Sequence, residues 1–343
     1  MKIGLVGYQG CGKSTLFELL TGISPDPSKA FTGQVGIAVV PDERFDQLIE
    51  LYQPKKISPA RIELFDTPGL SRSNSEANAQ KLAVIRESAV LAHVVGCFSG
   101  ADPLADARAF EDDIILADLQ VVSNRIARLE KDVTKPRPDR DELRAEFEAL
   151  KPIEEKLNNG ESLQEMEFSE PQEKACKSFA LLTRKRQLLL LNSADSEVNG
   201  DVVGQLESRG YCVVSAPIGL ELEVQALPAE ERAEFSAEMG LGEPCASRVL
   251  RAIFEITDLI TFYTCNEKEV HAWLLRQGAS ALEAADSIHS DLARGFIRVE
   301  VQSVDDLLRL GSEREVKAAG LYHVEGKEYV IQNGDEIVVR FNV

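Results

Sequence analysis

The 343-residue sequence has no apolar run approaching the roughly 20 residues that span a bilayer, which argues against a transmembrane helix. Strand-like residues begin almost at the N-terminus, leaving no room for a cleavable leader, and a cytoplasmic location is the expectation. Histidine is scarce, with four in the chain. The six cysteines (Cys11, Cys97, Cys176, Cys212, Cys245 and Cys265) form no Cys-x-x-Cys pair. That scatter argues against a zinc site or a disulfide framework and suits a reducing compartment. Positive charge is also short: 38 Lys and Arg against 57 Asp and Glu leave a formal charge of −19, thickest between Asp139 and Glu173. Bare duplex DNA would repel such a chain, although short basic runs such as Arg184–Lys185–Arg186 could touch RNA on a larger particle. No internal repeat is visible, and nothing in the sequence points beyond a monomer.

What is present is ordinary for a globular protein, 44% hydrophobic and 28% charged, with enough length for two or three domains. The informative stretch is GYQGCGKST, which fits G-x-x-x-x-G-K-[ST] through Gly7, Gly12, Lys13 and Ser14. KIGLV before it reads as a strand, and TLFELLTG after it reads as a helix closed by Gly22. A strand, a glycine-rich turn and a helix start form a concave nest of N–H groups for phosphates. Gly7, Gly10, Cys11, Gly12, Lys13, Ser14 and Thr15 are therefore candidate nucleotide-binding residues. Lys13 would reach the β- and γ-phosphates, and Ser14 would ligate Mg²⁺. Cys11, beside Lys13 and the loop N–H groups, is either a small space-filler or a thiol of lowered pKa open to redox control.

Apolar runs KIGLV, VGIAVV, RIELFD, AHVVGCF, QLLLLLN and YCVVSA alternate with helix-like segments, the pattern of a largely parallel sheet covered on both faces. A helical stretch interrupts it. Ile115, Leu119, Val122, Ile126, Leu129 and Val133 follow a heptad, TKPRPD ends it, and Leu143, Phe147, Leu150 and Leu157 offer a return face that Pro152 should kink or interrupt. The expected organisation is a P-loop domain over 1–105 and 185–256, an antiparallel helical arm over 106–184, and a third, mixed α/β domain over 257–343. In the last, YVIQNGDEIVVRFNV predicts a strand, a turn at Asn333–Gly334 and a final strand.

Three further signals narrow the chemistry. RIELFDTPGL places Asp66 at a strand end, where it would hold Mg²⁺ through water, with the Gly69 N–H sensing the γ-phosphate. LLLLNSAD ends a strand with Asn192 and Asp195, an N-x-x-D pattern that reads a purine edge, but Ser193 replaces the lysine that would stack on the base. VVSAP puts Ser215 and Ala216 where backbone N–H groups could meet a purine O6. Their order follows the plan of a G-domain. Lys13 and Gly69 are the candidate catalytic positions.

On these motifs, and on NEKEVHAWLLRQG, SIHSDLARGFIRVEV and the terminal FNV, the chain resembles the YchF/Obg-like ATPase family over nearly its whole length. The resemblance implies a coiled-coil arm, a C-terminal β-grasp (TGS-like) domain and contacts with the ribosome or another translation component through both. It departs from the family at the P-loop, at switch I, where SKAFTGQVG leaves Thr32 as a displaced Mg²⁺ ligand, and in a histidine-free loop after AHVVGCF. The family pattern favours ATP; the shorter carboxylate of Asp195 favours GTP.

In Ras-type GTPases a glutamine after Asp-x-x-Gly orients the attacking water. Leu70 stands there. Slow, Mg²⁺-dependent hydrolysis is the leading expectation, with K⁺ or a partner to complete it. The alternative is a degenerate relative that binds nucleotide without turnover. A small-molecule kinase fits poorly, because no second substrate pocket or lid is visible.

Overall fold

Runs of Val, Leu and Ile too short for helices become the strands of two sheets. The computed structural model describes every residue except 74, 99, 137, 194–197, 199, 239–242 and 343, and it omits the side chains of 75, 76, 229, 233, 237 and 238. By contact the chain divides into two units, Met1–Ile37 with Glu63–Ile256, and Ala38–Ile62 with Thr257–Val343.

The strands up to residue 216 are β1 (Lys2–Val6), β2 (Gln34–Val39), β3 (Lys56–Ser58), β4 (Arg61–Asp66), β5 (Val90–Gly96), β6 (Gln187–Asn192) and β7 (Cys212–Ala216). Six of them form one sheet in the order β2-β4-β1-β5-β6-β7. The pairings of β1 with β4 and β5, and of β6 with β5 and β7, are all parallel. Every residue of β5 is buried, as a central parallel strand covered on both faces requires. The edge strand β2 instead alternates buried and exposed positions.

The arm is a helix over Pro103–Val133 and another over Arg140–Asn158. Ile115, Val122, Ile126 and Leu129 pack with Ala149, Leu150, Ile153 and Leu157, and Leu119, Leu143 and Phe147 lie half-buried against them. The heptad residues from Ile115 to Leu129 thus form the seam. Arg125 pairs with Glu146 and Ser123 with Glu154, so the helices run antiparallel. Of the two effects expected of Pro152, a kink or a break, the structure excludes the break: the return helix runs through it. Its neighbours Leu150 and Ile153 are fully buried, and their packing outweighs the one backbone donor that proline lacks. The arm's first helix is tied to its own unit by Asp118. This fully buried carboxylate accepts from Arg86 Nη1 at 2.6 Å and from the Thr183 amide and hydroxyl, both at 2.8 Å.

The second unit adds β8 (Leu259–Cys265), β9 (Glu269–Arg276), β10 (Phe296–Ser303), β11 (His323–Glu325) and β12 (Asp335–Phe341). Its sheet runs β11-β10-β12-β8-β9-β3. A hairpin, β8–β9, is followed by the helix Ala281–Ile288 and then by β10, β11 and β12, with β12 parallel to β8 in the middle; this is a β-grasp. Phe262, Ala281, Ala284, Val299, Val301 and Ile337 fill its core. The expected strand at Tyr329–Gln332 is absent. The Tyr329 carbonyl and the Ile331 amide bond instead to Ala281 and Ala279, next to the helix, so this segment is not free to pair as a hairpin. The segment 38–62 contributes β3, parallel to β9, and the helix Glu43–Tyr52, whose Arg44 makes a bidentate pair with Asp305. No helix among the described residues is long and apolar enough to cross a membrane.

Candidate nucleotide-binding site

At the C-terminal end of β1 the chain turns through Gly7, Gly10 and Gly12, all at positive φ, and enters the helix Lys13–Thr21 with Gly12 as its N-cap. Gly12 has φ 102°, and a methyl group placed on it would lie 2.2 Å from Asn192 Nδ2. Only glycine fits that contact. Asn192, at the end of β6, donates to the Cys11 carbonyl at 3.0 Å and so braces the loop from beneath. Lys13 is 6% exposed, its ammonium donating to the Tyr8 carbonyl at 2.8 Å and lying 3.6 Å from Cys11 Sγ. Cys11 corrects the expectation of a lowered thiol pKa. Burial pushes the thiol up, and the nearby Lys13 only opposes that shift. The space-filling reading is the one this geometry favours.

Ser14 Oγ donates to Asp66 Oδ2 at 2.7 Å. The other carboxylate oxygen, Asp66 Oδ1, is buried without a hydrogen-bond partner. Burial raises the Asp66 pKa, while Ser14 and Lys13 oppose it. A desolvated, half-satisfied carboxylate against a hydroxyl, at the start of a helix, suits a hard divalent cation. Gly69 follows. Its carbonyl accepts from Lys81 Nζ at 2.7 Å, and the Leu70 amide donates to the Gly7 carbonyl at 3.0 Å. The Gln9 amide donates back to the Leu70 carbonyl at 2.9 Å, stitching the Asp-x-x-Gly segment to the phosphate loop. Leu70 is fully buried against Val6, Tyr8, Ile85 and Phe110. His93, below the loop, stacks on Phe110, and burial holds its pKa down to about 3, so it is neutral.

These groups open on a cavity of about 300 Å³ lined by Gln9, Gly10, Lys13, Ser14, Asp66 and Gly69 on one side, and by Pro25, Asp26, Pro27, Lys29, Ala30 and Gln34 on the other. Thr32 is exposed in the turn that follows and is not among the lining residues. Thr15 sits half-buried in the first turn of the helix. At the other end, strand register sets Asn192 beside Ala216 and Leu191 beside Ser215. Ala216 is fully buried, and the Ser215 carbonyl accepts from Arg248. Ser193, in the lysine position, is buried rather than forming an exposed wall. Asp195 lies outside the described residues. Gln9 and Lys81 were not candidates from sequence: the P-loop motif leaves the Gln9 position unrestricted, and no pattern marks a lysine that reaches Gly69 from another helix.

A family model described as a 50S ribosome-binding GTPase matches residues 2–125, and the YchF GTPase C-terminal model, described as a protein of unknown function (DUF933), matches 259–342. A ribosome-binding ATPase YchF from Bacillus subtilis is 35% identical over 366 residues, covering 99% of both chains. That of Escherichia coli O157:H7 is 33% identical over 363 residues, covering 100% of this chain and 99% of the relative. The solved Schizosaccharomyces pombe YchF GTPase superposes with a TM-score of 0.86 over 99% of this chain and 97% of its own, at 24% identity, which speaks for the fold. With a P-loop, an Asp-x-x-Gly segment pinned to it and full-length likeness of this order, the chain belongs to the YchF family.

Proposed function

We propose that this protein is a slow, Mg²⁺-dependent purine nucleoside triphosphatase that works as a nucleotide switch on the ribosome. The observation that carries the reading is the pairing of Ser14 with a half-buried Asp66 whose second oxygen is buried without a partner, at the mouth of an intact phosphate loop. Mg²⁺ held by Ser14 and Asp66 would neutralise charge on the β- and γ-phosphates. The chain's own groups do the rest. Loop N–H groups at the start of the helix Lys13–Thr21 cradle the phosphates, and the Lys13 ammonium exchanges the Tyr8 carbonyl for a phosphate oxygen. Gly69 lies beside that ammonium, and its amide would register whether a γ-phosphate is present. Its carbonyl, tied to Lys81, passes the state on to the helix Ser75–Ile85.

The curated relatives are ribosome-binding ATPases by name. Ribosome association and ATP as first substrate are inferred from them, with the arm and the β-grasp domain as the contact surfaces. Ser193 supports the base assignment, since no lysine is present to stack on guanine. Binding without turnover is the second reading. It is favoured by Leu70, buried and unable to orient water, and by Thr32, placed outside the cavity lining.

Phosphate release from ATP and GTP separates the two, with Lys13→Ala as the control for contaminating activity. The expected native turnover exceeds that control but stays far below the roughly 10 s⁻¹ typical of enzymes. Turnover near that value with no partner present would overturn the slow-switch reading. A rate equal to the control would leave binding alone. Co-sedimentation with ribosomes in triphosphate against diphosphate tests the partner.

A further inference from the structure

The residue after Asp-x-x-Gly cannot help the reaction here. Leu70 has no hydrogen-bonding group, and its side chain is fully buried in the core. The two backbone hydrogen bonds that hold it there, Leu70 N–H to Gly7 and Gln9 N–H to Leu70, also fix where Gln9 emerges. A methyl group placed on Gly69 would lie 3.0 Å from Gln9 Cγ and 3.0 Å from Lys13 Nζ. The Gln9 side chain therefore leaves the phosphate loop against the residue assigned to the γ-phosphate and beside the lysine that binds it. Gln9 is exposed, lines the cavity with Ser14, Asp66 and Gly69, and its carboxamide has no hydrogen-bond partner among the described residues.

We propose that Gln9 supplies, from the phosphate loop, the water-orienting carboxamide that Leu70 cannot. The inference rests on the triphosphatase reading above. A carboxamide has an acceptor for a water proton and donors for a phosphate or water oxygen, which is the chemistry the position after Asp-x-x-Gly provides elsewhere. The water oxygen forms a bond to the γ-phosphorus as the bridging oxygen leaves with its electron pair on the nucleoside diphosphate. Of the two water protons, one stays on the inorganic phosphate and the other passes to solvent. Gln9 is neither acid nor base in this step; it holds the water in line.

The test is single-turnover hydrolysis by the full chain and by Gln9→Ala, Gln9→Glu and Lys13→Ala. It is read together with affinity for a non-hydrolysable triphosphate and for diphosphate plus aluminium fluoride. Gln9→Ala should lower the rate by about 10²-fold, as loss of one transition-state hydrogen bond does. It should leave triphosphate-analogue affinity within about twofold and weaken the aluminium fluoride complex in step with the rate. Gln9→Glu keeps the stem and an acceptor but removes the donors, and should be slow as well. A Gln9→Ala rate within about twofold of native would overturn the proposal while the triphosphatase reading stands. So would equal losses in rate and triphosphate affinity, which mark a structural role. A native rate no higher than that of Lys13→Ala overturns both.

Discussion

Asn192 gives one amide hydrogen to the Cys11 carbonyl at 3.0 Å, which ties the residue to the phosphate loop. In the sequence, N-x-x-D suggests reading of the base; in the structure the Asn192 carboxamide supports the phosphate end of the site. Removing it leaves the Cys11 carbonyl unpaired and takes away the side chain against which Gly12 packs. A buried acceptor left unpaired costs about 1–3 kcal/mol, so Asn192→Ala should weaken nucleotide binding by roughly 10-fold. Because the loss falls on phosphates, ATP and GTP should weaken by the same factor in calorimetric titration. A changed ATP-to-GTP ratio would show that Asn192 also reads the base. The phosphate loop itself was legible from nine consecutive residues, because its chemistry is local. The roles of Asn192, Cys11 and Leu70 were not, because each is set by what a distant part of the chain places against it.

At the scale of elements, hydrophobic periodicity predicted the arm, but not what fastens it. Asp118 sits within the heptad stretch and reads as a solvated charge between apolar positions. It is fully buried, shared between Arg86 and Thr183. Those partners lie far away in sequence, so no window contains the information. Asp118→Ala would leave the Arg86 guanidinium, 15% exposed, without its carboxylate and strand the Thr183 amide. Breaking one partner from a buried pair costs about 3–5 kcal/mol. Urea unfolding followed by circular dichroism should show a loss of that order for Asp118→Ala and a smaller one for Asp118→Asn, which keeps an acceptor. A loss under about 1 kcal/mol, the worth of a surface pair, would mean that Asp118 does not fasten the arm. The uninterrupted helix through Pro152 is a milder case: the local rule holds, but burial of Leu150 and Ile153 overrides it.

Over the whole molecule, the two sheets were foreseeable from alternating apolar runs and from the C-terminal motifs. The joining of Ala38–Ile62 to Thr257–Val343 was not. That segment lies early in the chain, and its place depends on pairs such as Tyr52 with Glu336 and Tyr263 with Asp42. Glu336 gives this unit a pH dependence of its own. It is 4% exposed, and burial raises its carboxyl from 4.5 to about 7, with Glu313 adding to the rise while Gln302 and Tyr52 oppose it. The unfolded carboxyl ionises near 4.5 and the folded one near 7, so folding retains a proton between those values. The stabilisation is fully present below about pH 4.5 and is lost as pH rises through 7, by on the order of 3 kcal/mol at most. Glu336→Gln keeps the shape but cannot ionise. Trp273, the chain's one tryptophan, lies in β9 and reports on this unit. Denaturation followed by Trp273 fluorescence should therefore show native protein losing stability relative to Glu336→Gln between pH 5 and 8. Parallel curves for the two proteins over that range would mean that Glu336 ionises in the folded state as readily as in the unfolded chain, and that Tyr52 and Gln302 hold it as an ordinary carboxylate.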